Sequence, residues 1–238
     1  VGKKIMAYIL CKDLKYIDVE RLRQRSATQW FVIQEEDLLN PDPMWANVHT
    51  VIEHFTSSSD RKIFVPFYSK KIPKEIYEKY EVIIFHMTDV PYGRGGSPLQ
   101  NLIKRGHSLT KIAALQCTDN LDAGDVYLKE MLSLDGTAEE IYKRAGLIIE
   151  DMMWRIAKMN IVPKPQIGTV TKFKRRKPAQ SEIVTECGLT ELYDHIRMLD
   201  APDYPKAFVE YNNYRLEFTG ARLENGKLTA NVEFVEDE

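Results

Sequence analysis

The chain has 238 residues, 44% of them hydrophobic and 29% charged, with 33 Lys and Arg against 35 Asp and Glu. That is the composition of a globular protein long enough for one sizeable core and a small second unit. A formal charge of -2 gives no support to broad electrostatic binding of nucleic acid. No run reaches the length of a membrane span, and the opening VGKKIMAYIL reads as a buried strand rather than a signal peptide. Cys11, Cys117 and Cys187 are far apart and odd in number. They argue against a disulfide framework or a zinc knuckle and for a reducing, cytoplasmic setting.

Taken in chain order, KKIMAYIL reads as a strand and DVERLRQRS as a helix; WFVIQ is a second strand, followed by a helical stretch around MWANVHTVIEHF. KIFVPF is a third strand, PKEIYEKY a short helix with Pro73 in its first turn, and EVIIFH a fourth strand; PLQNLIKRG continues as a helix ended by Gly106. The alternation predicts an α/β fold, a Rossmann-like, mostly parallel sheet with helices on both faces. The strands are continuous apolar runs, as covered sheets require. TKIAALQC and DVYLKEMLSL are two more strands joined by the turn TDNLDAGD. A long helix from about Thr137 to Asn160 follows, with capping-box spacing of Thr137 and Glu140 and apolar residues Ile141, Ala145, Ile148, Met152 and Ile156 at helical intervals.

Past the connector NIVPKPQIG, the basic run KFKRRKP reads as a solvated linker face, with phosphate contact as the minority alternative. LTELYDHIRML is a helix, and AFVEYNN, YRLEFTGARL and KLTANVEF are alternating strands separated by NN and ENG turns. The chain therefore divides near residue 165, into a main domain over 1–164 and, over 165–238, a linker with a small C-terminal α+β domain.

His86 opens the loop FHMTDVPYGRGGSPLQNLI directly after a buried strand, and sites in open α/β sheets lie at the carboxyl ends of strands. His49 and His54 fall in the second helical stretch, His107 follows a helix-ending glycine and His195 lies in the C-terminal helix; these read as surface or capping residues. Nothing has zinc-ligand spacing, so no metal is expected. In NLDAGDVY, Gly124 permits a restricted backbone, with Asp122 and Asp125 on either side. As an ordinary turn they are solvated carboxylates. As a site, one of them faces the histidine and fixes its tautomer or accepts a proton. Spacing does not say which.

His86, Thr88, Pro91, Arg94, Gly95 and Pro98 in HMTDVPYGRGGSP resemble the histidine loop of the folate-dependent formyltransferases. That loop runs His, any residue, Ser, two apolar residues, Pro, then Arg-Gly and a Pro opening a helix. LDAGD is similar to the family's Asp-Thr-Gly-Asp type turn, with Asp122 at the catalytic aspartate. PFYSKKIPKEIY resembles the segment ending in Ile-Pro that helps form the folate pocket. RRKPAQSEI and LYDHIRMLDAPDYPKAFV are similar to the linker and C-terminal opening of methionyl-tRNA and sugar N-formyltransferases. The resemblance runs from about residue 63 to 218.

It implies transfer of a formyl group from 10-formyltetrahydrofolate to a primary amine. In that case His86 stabilises the tetrahedral species and helps proton transfer, while Asp122 orients His86 and helps remove the amine proton through water. Ile72, Pro73, Val90, Pro91 and Asp119 form the folate pocket, and Arg94 and Gly95 shape the loop. One departure from the family bears on the chemistry. Ile84 stands where an asparagine usually donates its amide to the formyl oxygen, and losing such a donor costs roughly two to four kcal/mol of transition-state stabilisation. Thr88 and Asn120 are the expected substitutes. For the acceptor, the short C-terminal part ending acidic in VEFVEDE points by elimination to a nucleotide-linked amino sugar. The alternatives are methionyl-tRNA as acceptor, or a non-catalytic folate- or nucleotide-binding protein. No membrane partner is expected, and a homodimer stays open.

Overall fold

β1 (Met6–Cys11) is completely buried from Ala7 to Leu10, as an apolar run covered on both faces must be. The structure, a computed structural model, describes residues 6–12, 14–25, 28–34, 62–184, 186–202 and 204–236. After β1 come α1 (Val19–Arg25), β2 (Gln29–Gln34), β3 (Lys62–Val65), α2 (Lys74–Lys79) and β4 (Glu81–His86). The helical stretch read around MWANVHTVIEHF, with His49 and His54, lies outside the described residues. Then follow β5 (Arg94–Gly95), α3 (Pro98–Ile103), β6 (Leu109–Gln116), β7 (Val126–Ser133) and α4 (Ala138–Lys158). The C-terminal part holds β8 (Lys172–Phe173), a 3-10 turn (Pro178–Ser181), α5 (Leu189–Arg197), β9 (Ala207–Tyr211), β10 (Tyr214–Glu224) and β11 (Lys227–Glu236).

The main sheet has six strands in the order β2-β1-β3-β4-β6-β7. β1 runs parallel to β2 and β3, and β3 parallel to β4; β6 returns antiparallel beside β4, with His86 opposite Ala113. The mostly parallel α/β architecture is therefore present, with the reversal next to the strand that ends in His86.

By its contacts the chain forms two compact units, neither continuous in sequence. One comprises Val1–Arg94, Lys111–Glu130 and Ala145–Thr171, the other Gly95–Thr110, Met131–Arg144 and Lys172–Glu238. These units cross the linear division expected at residue 165, because compactness follows contacts and the chain passes between units several times.

In the first unit, Tyr8, Leu10, Ile63, Val65, Ile72, Ile76 and Val82 form one buried cluster. Each such side chain contributes about 1.5–3 kcal/mol of transfer free energy. Ile84 packs both there and against Val90, Ala113 and Leu115. In the second unit, the Thr137 backbone N–H donates to Glu140 Oε2 at 2.8 Å and the Glu140 N–H to Thr137 Oγ1 at 3.3 Å. That is the reciprocal cap its spacing predicts. Residues 225 and 226, left between the Glu224–Lys227 pair, have φ of 51° and 72°, a two-residue turn whose twist matches its strands. Among the described residues, no helix is long and apolar enough to cross a membrane.

Candidate active site

β4 delivers His86 to the mouth of its loop, where the residue is only 7% exposed. Its Nε2 lies 2.8 Å from the Gly93 carbonyl oxygen, an acceptor, so Nε2 carries the hydrogen in this pairing. The other ring nitrogen, Nδ1, is left facing Asp122 Oδ2 at 3.6 Å. A partner fixed at one nitrogen sets the role of the other. Thr88, fully buried, donates its hydroxyl to the same Gly93 oxygen at 3.3 Å. Gly93 has a φ of 78°, a left-handed conformation that glycine adopts without steric cost.

Asp122 is buried at 7% exposure and has a φ of 52°. The turn holding it is tight: a Cβ on Gly124 would lie 1.8 Å from the Gln116 carbonyl oxygen. The Gln116 N–H donates to the Asp125 carbonyl at 2.8 Å. Asp125 thus contributes backbone to the turn, and Asp122 is the carboxylate that reaches the histidine. Cys117 lies in the same turn, and burial, helped by the Asp122 charge, pushes its thiol up to about 11. A thiol raised in this way is mostly protonated near neutral pH, which disfavours the thiolate.

Two further segments approach from the sides. Lys71, adjacent to Ile72, forms an exposed ion pair with Asp119 at 3.1 Å, which brings the Ile72–Pro73 segment and the aspartate turn together. Ile72 is buried in the cluster that also holds Ile84 and Cys117. From the connector, Gln166 Nε2 donates to the carbonyls of Asp122 and Gly124, both at 2.8 Å, and its Oε1 accepts from Arg94 Nε and Nη2 at 3.1 and 2.8 Å. The arrangement is a buried acid–base pair with an apolar wall, a polar rim and a braced turn.

A family model described as the methionyl-tRNA formyltransferase C-terminal domain matches residues 178–235. A solved methionyl-tRNA formyltransferase from Clostridium thermocellum is 40% identical, with a TM-score of 0.85, over 98% of this chain and 100% of that one. The chain belongs to the formyltransferase family.

More distant structures share the fold. HypX from Aquifex aeolicus, solved in complex with tetrahydrofolic acid, is 16% identical with a TM-score of 0.71, over 93% of this chain and 38% of that one. A sugar N-formyltransferase from Shewanella sp FDAARGOS_354 is 12% identical with a TM-score of 0.65, over 98% and 99%. The chain spans 46%, 68% and 51% of the length of the first three curated methionyl-tRNA formyltransferases it matches.

Within this formyltransferase framework the expected site residues fall as follows. His86 and Asp122 meet. Val90 and Pro91 are buried beside them, joined by a cis peptide bond. Ile72 is core, Pro73 precedes α2, and Asp119 is exposed. Of the two expected substitute donors, Thr88 has its hydroxyl directed at Gly93 and Asn120 is exposed. Arg94 and Gly95 lie in the loop's short strand, Arg94 held by Gln166. Of the other described histidines, His195 binds the Ser181 carbonyl oxygen at 3.0 Å through Nε2, and burial lowers its pKa.

Three features escaped the sequence reading. Gln166 sat in an apparent connector. Asp89 occupies a place where the family's loop is apolar, and it pairs with both Lys111, at 2.8 Å, and Lys129, which also donates to the Val90 carbonyl. Burial alone would raise the Asp89 pKa, but the hydrogen bonds from Lys111 and Lys129 outweigh it and hold it below its ordinary value.

The third feature is the anchoring of KFKRRKP, whose Lys172, Lys174, Arg175 and Lys177 are solvent-exposed as a linker face requires. Phe173 is buried, Asn101 Nδ2 donates to the Lys174 carbonyl at 3.0 Å, and the Arg176 N–H donates to Ser97 Oγ at 3.0 Å. Within the second unit these contacts build a cavity of about 370 Å³ lined by Asn101, Lys104, Arg105, Lys174, Arg175, Arg176 and Gln180. Five cations and no carboxylate line it. Arg105 lies over the Phe173 ring at 4.5 Å, and Arg176 Nε is buried without a hydrogen-bond partner. A net charge of -2 averages over the whole chain and hides this local field.

Proposed function

We propose that this protein transfers a formyl group from 10-formyltetrahydrofolate to the amino group of methionyl-tRNA. The observation that carries the reading is the buried His86–Asp122 pair, found in a chain 40% identical to a methionyl-tRNA formyltransferase over nearly its whole length. The reaction breaks the bond from formyl carbon to folate nitrogen as a bond to the amine nitrogen forms. One proton leaves the amine and one reaches the folate nitrogen.

His86 holds the proton in transit at Nδ1, since Nε2 is engaged by Gly93. Asp122 orients the ring and stabilises the imidazolium that results. Ile72, Pro73, Val90, Pro91 and Asp119 supply the folate-binding surface, a role supported by the apolar cluster at Ile72 and by the tetrahydrofolate-bound relative. In this reading residues 1–164 carry the reacting groups, 165–238 comprise a linker and a small domain that serves the acceptor, and the setting is cytoplasmic. The cationic cavity of the second unit favours a phosphate-rich acceptor, because guanidinium and ammonium groups without carboxylate partners bind phosphate strongly.

A nucleotide-linked amino sugar is the second reading, favoured by a sugar N-formyltransferase that matches over 99% of its length. Incubation with the folate donor and either methionyl-tRNA or an amino-sugar nucleotide separates them. Formylated methionyl-tRNA is the expected product. Formylation of the sugar alone overturns the tRNA reading. Folate binding without transfer to either acceptor leaves the non-catalytic alternative.

A further inference from the structure

We propose that Gln166 is a positioning residue for the formyl transfer, bracing Asp122 against His86 under the control of Arg94. The inference rests on the function proposed above and deepens it. Four hydrogen bonds exhaust the Gln166 amide: two to the carbonyls of Asp122 and Gly124, two from one edge of the Arg94 guanidinium. The residue thus joins three separate stretches of the first unit: the histidine loop, the aspartate turn and the connector.

The connector is itself anchored on both sides of Gln166. Lys164 exchanges backbone hydrogen bonds with Val126, at 2.7 and 2.9 Å, just past the aspartate turn. Thr171 accepts from the N–H groups of Gly93 and Arg94, both at 3.0 Å, and donates to the Pro91 carbonyl at 3.1 Å. Gln166 is therefore presented from a backbone tied to both halves of the site.

The Asp122 backbone needs such a hold. A φ of 52° in a non-glycine residue is strained and persists only where the surroundings hold it in place. The two carbonyls held by Gln166 belong to Asp122 and the residue two further on, so the amide spans the strained segment. Arg94 polarises the amide from behind, which strengthens both N–H donations. Glutamine alone among the common side chains of this length offers two donors and one acceptor in a plane. Glutamate keeps the Arg94 contact but turns an acceptor toward two carbonyls, and asparagine is one methylene short.

The test uses Gln166→Glu, Gln166→Met and Arg94→Lys in the full chain, with steady-state kinetics and site-resolved amide hydrogen exchange. The expected result is a fall in kcat of about ten-fold or more for both Gln166 variants, with KM for the folate donor within about two-fold, since misplaced catalytic groups lose rate rather than binding. Arg94→Lys should lie between these and the parent. Exchange should quicken about ten-fold at the amides of 118–125, with β1 and β3 unchanged. Unchanged kcat in both Gln166 variants overturns the proposal, and so does exchange that quickens uniformly across the chain. If the parent itself formylates no acceptor, the functional reading fails, while the exchange pattern still decides whether Gln166 braces the turn.

Discussion

His86 Nδ1 stands 3.6 Å from Asp122 Oδ2, with both side chains less than a tenth exposed. The distance is slightly long for a hydrogen bond and suits a pair that tightens when the ring takes up a proton. Asp122→Asn keeps the shape and removes the charge. It should lower kcat by about 10²–10⁴-fold with little change in KM, the range seen when a histidine loses its carboxylate partner. Single-turnover rates with saturating folate donor check this. A loss under three-fold would remove Asp122 from the chemistry.

Ile84 shares a strand face with His86, because side chains alternate along β4. It is packed against Val90, Ala113 and Leu115, so Ile84→Asn buries an amide among apolar groups at a cost of about 1–3 kcal/mol. The melting temperature should fall by several degrees for a chain of this size. Turnover should nevertheless rise several-fold if the restored amide meets the developing oxyanion. Thermal melts and kcat measured on one preparation separate the two effects; lowered stability with unimproved kcat would show that another donor already fills the role.

The Cys117 thiol, raised from the ordinary 9.0 to about 11 by burial and then by Asp122, gives a pH signature. A group whose folded pKa lies above its unfolded value contributes stability below the unfolded pKa and loses it as pH rises through the folded one. The Cys117 contribution is therefore intact below pH 9 and lost between about 9 and 11. Iodoacetamide labelling read by mass spectrometry should leave Cys117 unmodified at neutral pH, with reactivity climbing only toward the top of that window. Rapid labelling at pH 7.5 would contradict the raised thiol pKa of this half-buried cysteine.

The cationic cavity makes a prediction about acceptor binding. Lys104→Ala, Lys174→Ala and Arg175→Ala should each weaken methionyl-tRNA binding and flatten its salt dependence. The slope of log K against log salt should drop by about 0.9 for each duplex phosphate contact removed. Arg105 is a poorer choice because it also packs on Phe173 and bonds to Asn101. Filter binding across a salt series reads the slope; parallel slopes for all three variants would exclude phosphate contact here.

Much of the fold was legible locally. Apolar runs marked β1, β3 and β4, the Thr137–Glu140 spacing marked the start of α4, and Asn225–Gly226 marked the last hairpin. Each depends on residues within a turn or two of one another. The two-unit organisation was not legible, since the second unit takes Gly95–Thr110 and Met131–Arg144 from the middle of what reads as one domain. The basic cluster was not legible for a related reason: Lys104 and Arg105 are far in sequence from Lys174–Arg176, so no window over the chain sees them together.

By itself the sequence determined the strands, the caps, the turn glycines and the histidine loop, because backbone propensity and hydrophobic period act over short spans. The family resemblance pointed to Asp122 over Asp125, but only the tertiary structure set it 3.6 Å from His86, tied it through Gln166 to Arg94, and paired Asp89 with lysines from β6 and β7. Those pairings depend on strand register and on where the chain crosses over itself, and a shift of one residue along any of these strands would turn a different side chain toward the site.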